Sequence, residues 1–230
     1  MNFPFYHWHP QLYLRYAPIV DYIKKLNFKN PSILEVGSGP LGIGPYLHRQ
    51  FVGLDVDFCG PNWRPMTKIT GKGQSLPLQD KSFDIVICTD TLEHIPPKMR
   101  QRVTTELLRV TKGDLILAFP AGNLAAQQDQ ELDQIYRRRF GKHFTFLTEH
   151  LKYGLPDVDQ VIPWLEPAQV TTFGAHNLRL RRWFMSGWMT RSLLVDLFFR
   201  KILLLFLPIL KILDQPPPHY RAYIFAKIKP

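Results

Sequence analysis

The run Ser32-Ile-Leu-Glu-Val-Gly-Ser-Gly-Pro-Leu-Gly42 constrains this chain more than any other segment. Ile33, Leu34 and Val36 form a short apolar stretch of the kind that makes a buried strand. The stretch ends in glycines, where the backbone must turn sharply and come close to a ligand. A second short run, Phe51 to Leu54, closes on the carboxylate of Asp55. An acid at the tip of the second strand is where a doubly wound sheet holds the two hydroxyls of a ribose. An adenosine-containing cofactor is therefore expected at the bend of Gly37, Ser38 and Gly39, beside Asp55 and the adjoining Val56.

Gly37, Gly39 and Gly42 fit the G-x-G-x-x-G spacing of dinucleotide folds, so the glycines alone do not choose the cofactor. Glu35 favours S-adenosylmethionine. A carboxylate so near the first glycine would repel a pyrophosphate but suits the cationic methionine end of that cofactor. Further on comes Gly73-Gln-Ser-Leu-Pro-Leu-Gln-Asp-Lys-Ser-Phe-Asp84-Ile-Val-Ile-Cys-Thr-Asp90-Thr-Leu-Glu-His94. Together with the glycine run it resembles the class I methyltransferases of the type 11-like subfamily, which includes small-molecule, quinone and lipid methylases. The likeness covers roughly residues 30 to 120, in order, and is nearly silent on the acceptor.

The resemblance implies an α/β fold: a Rossmann-like doubly wound sheet of seven strands, mostly parallel with the last antiparallel, and helices on both faces. It implies S-adenosylmethionine held by Glu35, Gly37, Ser38, Gly39, Asp55 and Val56, with Gly37 and Gly39 against the methionine and ribose, Glu35 orienting that end and Asp55 accepting the ribose hydroxyls. Gly73, Gln74 and Ser75 would meet the adenine, and Thr89 would stand beside the methyl group. Related enzymes commonly place an acid for the adenine amino group in a Gly-Asp-Ala-Glu-x-Leu-Pro run. Here Lys72 occupies that place and cannot accept the bond, which leaves backbone groups of Gly73 and Gln74.

Methyl transfer needs in-line alignment and, where the acceptor carries one, removal of a proton. Asp90 and His94 are the catalytic candidates. Their four-residue spacing predicts one shared face of a helical turn, and His94, titrating near neutrality, is the first choice of base. Leu92-Glu-His94 reads equally well as a structural tie between loop and sheet. His143, Glu149, His150 and Tyr153 form a second polar cluster, expected to line the acceptor pocket. His143 and His150, seven residues apart, would share a helical face. No complete set of metal ligands is evident, and no metal is expected.

At 230 residues, 45% hydrophobic and 13% aromatic, the chain reads as a single globular domain. Residues 1–30 read as an N-terminal covering helix, 31–120 as the cofactor-binding core and 121–168 as a cap over the acceptor site. Residues 190–215 read as an apolar amphipathic insertion before the last strand. Within that frame, Leu12 to Leu26 recur at helical spacing and a stubby helix lies near Tyr46–Arg49. Strands are predicted at 51–55, 67–70, 83–88, 115–119, between Val170 and Trp183, and from Tyr220 onward. Helices are predicted at 97–110, ended by Lys112-Gly113, at 127–139, closed by Gly141, and from an Asp157 cap to about Leu165.

Charge is unevenly placed. The net is +10, and residues 171–230 hold ten basic residues against Asp196 and Asp214. That asymmetry favours an anionic partner near the C-terminus or a solvated basic surface. Leu193 to Leu213 is strongly apolar yet interrupted by Asp196, Arg200, Lys201 and Lys211. Charges in those positions oppose a membrane-spanning helix. The segment is expected to lie on an anionic membrane, cap a lipid pocket, form an interface or pack as core, with a kink at Pro208. Cys59 and Cys88 need no disulfide, and the start, Met1 to His9, shows no leader pattern. A cytoplasmic, peripherally membrane-bound enzyme with a small or lipid-like acceptor is the expectation.

Two alternatives stay open on the residues alone. One is a non-catalytic binding module, suggested by Lys72 and the short helix after the glycines. The other is nucleic-acid methylation, resting on Arg137–Arg139 and Arg179–Arg182. The second lacks the Asp/Asn-Pro-Pro-Tyr/Phe tetrad of base-amino methylases, so no nucleic-acid partner is expected.

Overall fold

The computed structural model describes residues 7–26 and 28–228; the leader reading falls in part on residues 1–6, outside them. Seven strands form one sheet: β1 (Ile33–Val36), β2 (Phe51–Asp55), β3 (Met66–Thr70), β4 (Phe83–Thr89), β5 (Thr111–Pro120), β6 (Gln169–Asn177) and β7 (His219–Lys227). Their order is β3-β2-β1-β4-β5-β7-β6. The strands from β3 across to β5 pair in parallel, and β7 runs antiparallel to both β5 and β6. This is the doubly wound arrangement expected from the sequence. The strand order reverses between β1 and β4, and the crevice beyond their C-terminal ends is where such sheets bind ligands.

The helices are α1 (Pro10–Lys25), α2 (Gly44–Leu47), α3 (Pro97–Val110), α4 (Asn123–Phe140), α5 (Thr145–Tyr153), α6 (Val158–Val161), α7 (Leu178–Trp188), α8 (Leu193–Arg200) and α9 (Leu207–Leu213). They cover both faces, which is why the central strands are apolar on both sides. In β4, Val86 and Cys88 join Val103 and Leu107 of α3 in one core. Ile85 and Ile87 join Ile19 and Ile23 of α1 in the other.

Several boundaries differ from the sequence reading, each for a local reason. β5 starts at Thr111, directly after α3, whose last turn is closed by the Thr111 hydroxyl donating to the Leu107 carbonyl at 2.6 Å. Lys112 and Gly113 therefore lie inside a strand. Gly113 is there because a Cβ would stand 2.6 Å from the Asp84 carbonyl oxygen. β6 stops at Asn177, whose side chain accepts from the Leu180 amide at 3.0 Å and caps α7, so residues 178–183 are helical.

The insertion before β7 is not one kinked helix. It is α8, a short 3-10 turn at Ile202–Phe206, and α9, with Pro208 in the first turn of the last. Proline begins a helix there instead of bending one. Its inner face, Phe199, Leu203, Leu204, Leu207 and Leu210, packs on Leu14 of α1 and Phe184 of α7. Its outer face stays apolar in solvent, with Leu193 85%, Leu194 79% and Leu205 74% exposed. Among the described residues no helix is long and apolar enough to cross a membrane.

Candidate functional site

After β1 the chain bends through Gly37 and Gly39, both at positive φ (+77° and +55°). The Gly37 amide returns to the Leu54 carbonyl at 2.8 Å, tying the bend to β2. A Cβ on Gly37 would fall 2.0 Å from Thr91 Oγ1, whereas one on Gly39 would meet none of the described residues within 4 Å. The first glycine is thus required by the protein's own packing, and the second faces open space.

Asp55 closes the other side. Its Oδ2 accepts from the Gly39 amide and its Oδ1 from the Val56 amide, each at 2.7 Å. Oδ1 also accepts from the Asp57 amide at 3.3 Å, so of a carboxylate's roughly four acceptor positions about one, on Oδ2, is left for a further donor. Val56, the next residue, presents an exposed apolar side chain. Ser38 is buried and donates to the Gly39 carbonyl. At the end of β4, Thr89 keeps a buried hydroxyl with no hydrogen-bond partner among the described residues.

Glu35 serves the bend's own structure. It is fully buried, accepting from the Tyr16 hydroxyl at 2.9 Å and the Ile43 amide at 2.7 Å. Burial pushes its carboxyl up to about 7, against the pull of those two hydrogen bonds. On the adenine side, Ser75 bonds back to the Lys72 carbonyl and the Gln74 carbonyl accepts from Arg102 Nε at 3.0 Å. A Cβ on Gly73 would meet Val103 at 3.3 Å.

The expected pairing of Asp90 and His94 on one helical face does not form. Asp90 sits at φ +49°, outside the 3-10 turn Leu92–His94. It is drawn there by two guanidiniums: Arg221 of β7 grips both its oxygens, at 2.7 and 2.5 Å, and Arg15 of α1 reaches Oδ2 at 2.8 Å. Burial would raise the Asp90 carboxyl, but Arg15 and Arg221 override it and hold it well below the usual range. Arg221 also meets Nδ1 of His176, at 2.9 Å. Burial and the two arginines push that imidazole well below its usual value.

Three side chains that the spacing did not bring together meet beside this clamp. Glu93 is fully buried, and burial, reinforced by Asp90, pushes its carboxyl well up. His150 of α5 lies with its Nε2 4.0 Å from Glu93 Oε1 and its Nδ1 2.7 Å from Asp129 Oδ2. Asp129, on α4, is also held by Arg181 and by the Tyr220 hydroxyl. His94 completes the group, its Nδ1 2.6 Å from Glu149 Oε2. Burial and His150 lower the His94 imidazole, with Glu149 opposing.

A cavity of about 440 Å³ lies against this group. Arg15, Asp90, Glu93, His94, His150, His176 and Arg221 form its polar side; Phe144, Phe146, Leu147, Met185 and Trp188 supply apolar wall, and α8 contributes Arg200. Of the four acceptor-lining candidates, His150 lines it and Glu149 reaches it through His94. His143 precedes α5 and pairs with Asp133 at 2.7 Å, so it shares no helical face with His150. Tyr153 offers its carbonyl to Arg100 and is absent from the lining. Sequence reasoning missed Arg15, Asp129, His176 and Arg221. The available signal was an arginine set among the apolar residues of the last strand and an acid on the inward side of the polar helix.

Residues 34–119 match the family described as a methyltransferase domain. An uncharacterized methyltransferase of Mycobacterium bovis is 31% identical over 106 residues, 38% of this chain and 39% of the relative. The chain thus spans less than half the length of the curated relatives it matches. A SAM dependent methyltransferase from Archaeoglobus fulgidus superposes with a TM-score of 0.58 at 14% identity, covering 95% of this chain and 94% of that one. The magnesium protoporphyrin IX methyltransferase of Synechocystis, solved with bound SAH, gives 0.55 at 13% identity over 93% and 81%. Residues 34–119 thus match a methyltransferase domain, on a fold shared with enzymes that use S-adenosylmethionine. The open space over Gly39, the acceptor position left on Asp55 and the buried Thr89 hydroxyl fit that molecule.

Proposed function

We propose that the protein transfers a methyl group from S-adenosylmethionine to a small amphiphilic acceptor, lipid-linked or with a polar head group, at the cytoplasmic surface of an anionic membrane. The observation that carries this reading is the shared wall between site and insertion. Arg200 of α8 lines the cavity, while the same insertion turns Leu193, Leu194 and Leu205 outward. Contiguous exposed apolar side chains of this kind are a feature of interaction surfaces. An acceptor arriving along it would put its polar end among His94, His176 and Arg200.

When bound, S-adenosylmethionine supplies an activated methyl group. The chain's residues then bind and orient. Asp55 takes the ribose hydroxyls, while the backbone at Gly37, Ser38 and Gly39 makes way for the methionine and ribose. Val56 and the backbone of Gly73, Gln74 and Ser75 bound the adenine, and Thr89 faces the reacting end. Glu35 holds the bend in shape from beneath through Ile43. Asp90, fixed as an anion between Arg15 and Arg221, positions the turn that carries His94. Proton removal falls to the group of Glu93, His94 and His150, with His94 the first choice of base. The open cavity and the space over Gly39 argue against a binding module that lost turnover.

The reading is tested by incubating the protein with methyl-labelled S-adenosylmethionine and a whole-cell extract, then partitioning the products. Label in the organic phase supports it. Label confined to the aqueous phase assigns a water-soluble acceptor instead, and no transfer at all returns the binding-module reading.

A further inference from the structure

We propose that Glu93, His94 and His150 bind one divalent first-row transition-metal ion, Zn²⁺ in the first instance, in the wall of the acceptor cavity. Among the described residues neither carboxylate oxygen of buried Glu93 has a hydrogen-bond partner, and neither has Nε2 of His150, which faces it at 4.0 Å. Buried charges and polar atoms persist where a partner or a metal ion answers them. The neighbouring guanidiniums are engaged elsewhere. Arg15 and Arg221 bond to Asp90, Arg181 to Gln128 and Asp129, and Arg100 to the carbonyls of Leu92, Ile95, Tyr153 and Gly154.

His94 supplies the third donor: one ligand atom from each of the three residues lies within 4.8 Å of the others. An ion bound at about 2.0–2.2 Å from each donor would draw them together by roughly an ångström. Both imidazoles already carry the outer partner that metal-bound histidines use. His94 has Glu149 on Nδ1 and His150 has Asp129 on Nδ1, at 2.6 and 2.7 Å. A carboxylate at Nδ1 fixes Nε2 as the lone-pair nitrogen and sets the ring's orientation. Two imidazoles and one carboxylate suit Zn²⁺, Co²⁺ or Fe²⁺ and are a poor cage for Ca²⁺ or Mg²⁺.

The cavity leaves coordination positions open on the acceptor side. Here the inference rests on the acceptor reading above, with one change of role: in the metal-loaded site His94 is a ligand and not the base. The ion acts as a Lewis acid on an acceptor hydroxyl or amine, lowering its pKa so that its proton passes to cavity water before the methyl arrives. The ion-binding claim itself needs no acceptor and no cofactor.

The test is titration of the chelator-stripped, full-length protein with Co²⁺, read by visible absorption, followed by competition with Zn²⁺. One equivalent should bind with d–d bands of a four- or five-coordinate site, and Zn²⁺ should displace it. Glu93→Gln and, as a milder change on a more exposed side chain, His94→Gln should each weaken binding at least 100-fold. Glu149→Gln should weaken it about 10- to 100-fold, the range for outer partners of metal-bound histidines. His48→Asn, outside the cluster and the cavity lining and suited to the left-handed backbone at that position, should bind as the parent does. Absence of saturable Co²⁺ or Zn²⁺ binding up to millimolar metal overturns the proposal. So does equal affinity in His94→Gln, even if Glu93→Gln fails to fold. Either failure leaves the cofactor reading standing, since that is read by S-adenosylhomocysteine binding alone.

Discussion

Arg221 in the last strand closes on Asp90, 131 residues earlier, through two parallel bonds, Nε to Oδ1 at 2.7 Å and Nη2 to Oδ2 at 2.5 Å. The pair locks β7 to the turn after β4, and Arg15 adds the N-terminal helix to the same carboxylate. Three distant segments thus meet on one side chain at the edge of the cavity lined by Glu93, His94 and His150.

Asp90→Asn keeps the shape and tolerates the left-handed backbone at that position, but leaves buried Arg221 and part-exposed Arg15 without an anion. Breaking a buried pair from one side costs about 3–5 kcal/mol. Calorimetry should show a melting temperature lower by roughly 10 °C, since 1 kcal/mol is worth about 2–4 °C at this chain length. A shift under about 2 °C, less than 1 kcal/mol on the same scale, would mean the clamp contributes nothing to stability.

Gly37 and Gly39 should respond differently to the same substitution. Gly37→Ala places a methyl 2.0 Å from Thr91 Oγ1 at φ +77° and should cost about 2 kcal/mol or more in thermal stability. Gly39→Ala meets none of the described residues within 4 Å; its backbone strain of about 1–2 kcal/mol is the whole structural cost. Its methyl would instead occupy cofactor space, so S-adenosylhomocysteine affinity should fall at least tenfold. Equal affinity in the parent and Gly39→Ala would remove the bend from the site.

Much of this arrangement is legible in the residues, for physical reasons. The apolar runs of β1, β2 and β4 are short, continuous and bounded by turn residues, as strands buried on both faces must be. Gly141 closes α4 at φ +74°, where a left-handed residue was required. What local pattern cannot encode is the pairing of side chains brought together by strand order. β7 inserts between β5 and β6, and only that register sets Arg221 against Asp90. The helical spacing of Asp90 and His94 failed for the same reason: two remote arginines fix Asp90 in a backbone conformation no helix uses. Glu93 was visible in the sequence, but its isolation follows from α5 and α4 closing over it.

Stability should depend on pH through Glu35. Its carboxyl rests at about 7 in the folded chain, raised by burial, against about 4.3 when unfolded. The folded state holds this proton more tightly, so the contribution is complete below about pH 4.3 and is lost as pH rises through 7. A tenfold difference in proton affinity is worth about 1.4 kcal/mol, so the whole effect is at most about 4 kcal/mol. Glu35→Gln keeps an acceptor for the Ile43 amide and should flatten the melting temperature between pH 5 and 7.5 relative to the parent. An unchanged slope would place the titration elsewhere.

Membrane attachment is read by sedimentation with vesicles of mixed neutral and anionic lipid. Binding should rise with anionic content and weaken in high salt, since basic residues near the surface contribute about 1 kcal/mol each and are screened. The double substitution Leu194→Glu with Leu205→Glu, both on the exposed face, should cut binding at least tenfold with little change in melting. Indifference to vesicle charge and to these two residues would assign the apolar face to a protein contact.

Isothermal titration with S-adenosylhomocysteine, run on the parent and on Asp55→Ala, tests the central claim most directly. One equivalent should bind the parent saturably, and the variant should lose at least 100-fold in affinity. That loss is the scale of two hydrogen bonds to a charged group, about 1.5–3 kcal/mol each. No heat at millimolar ligand, or the same affinity in Asp55→Ala, would contradict a nucleoside held at the end of β2.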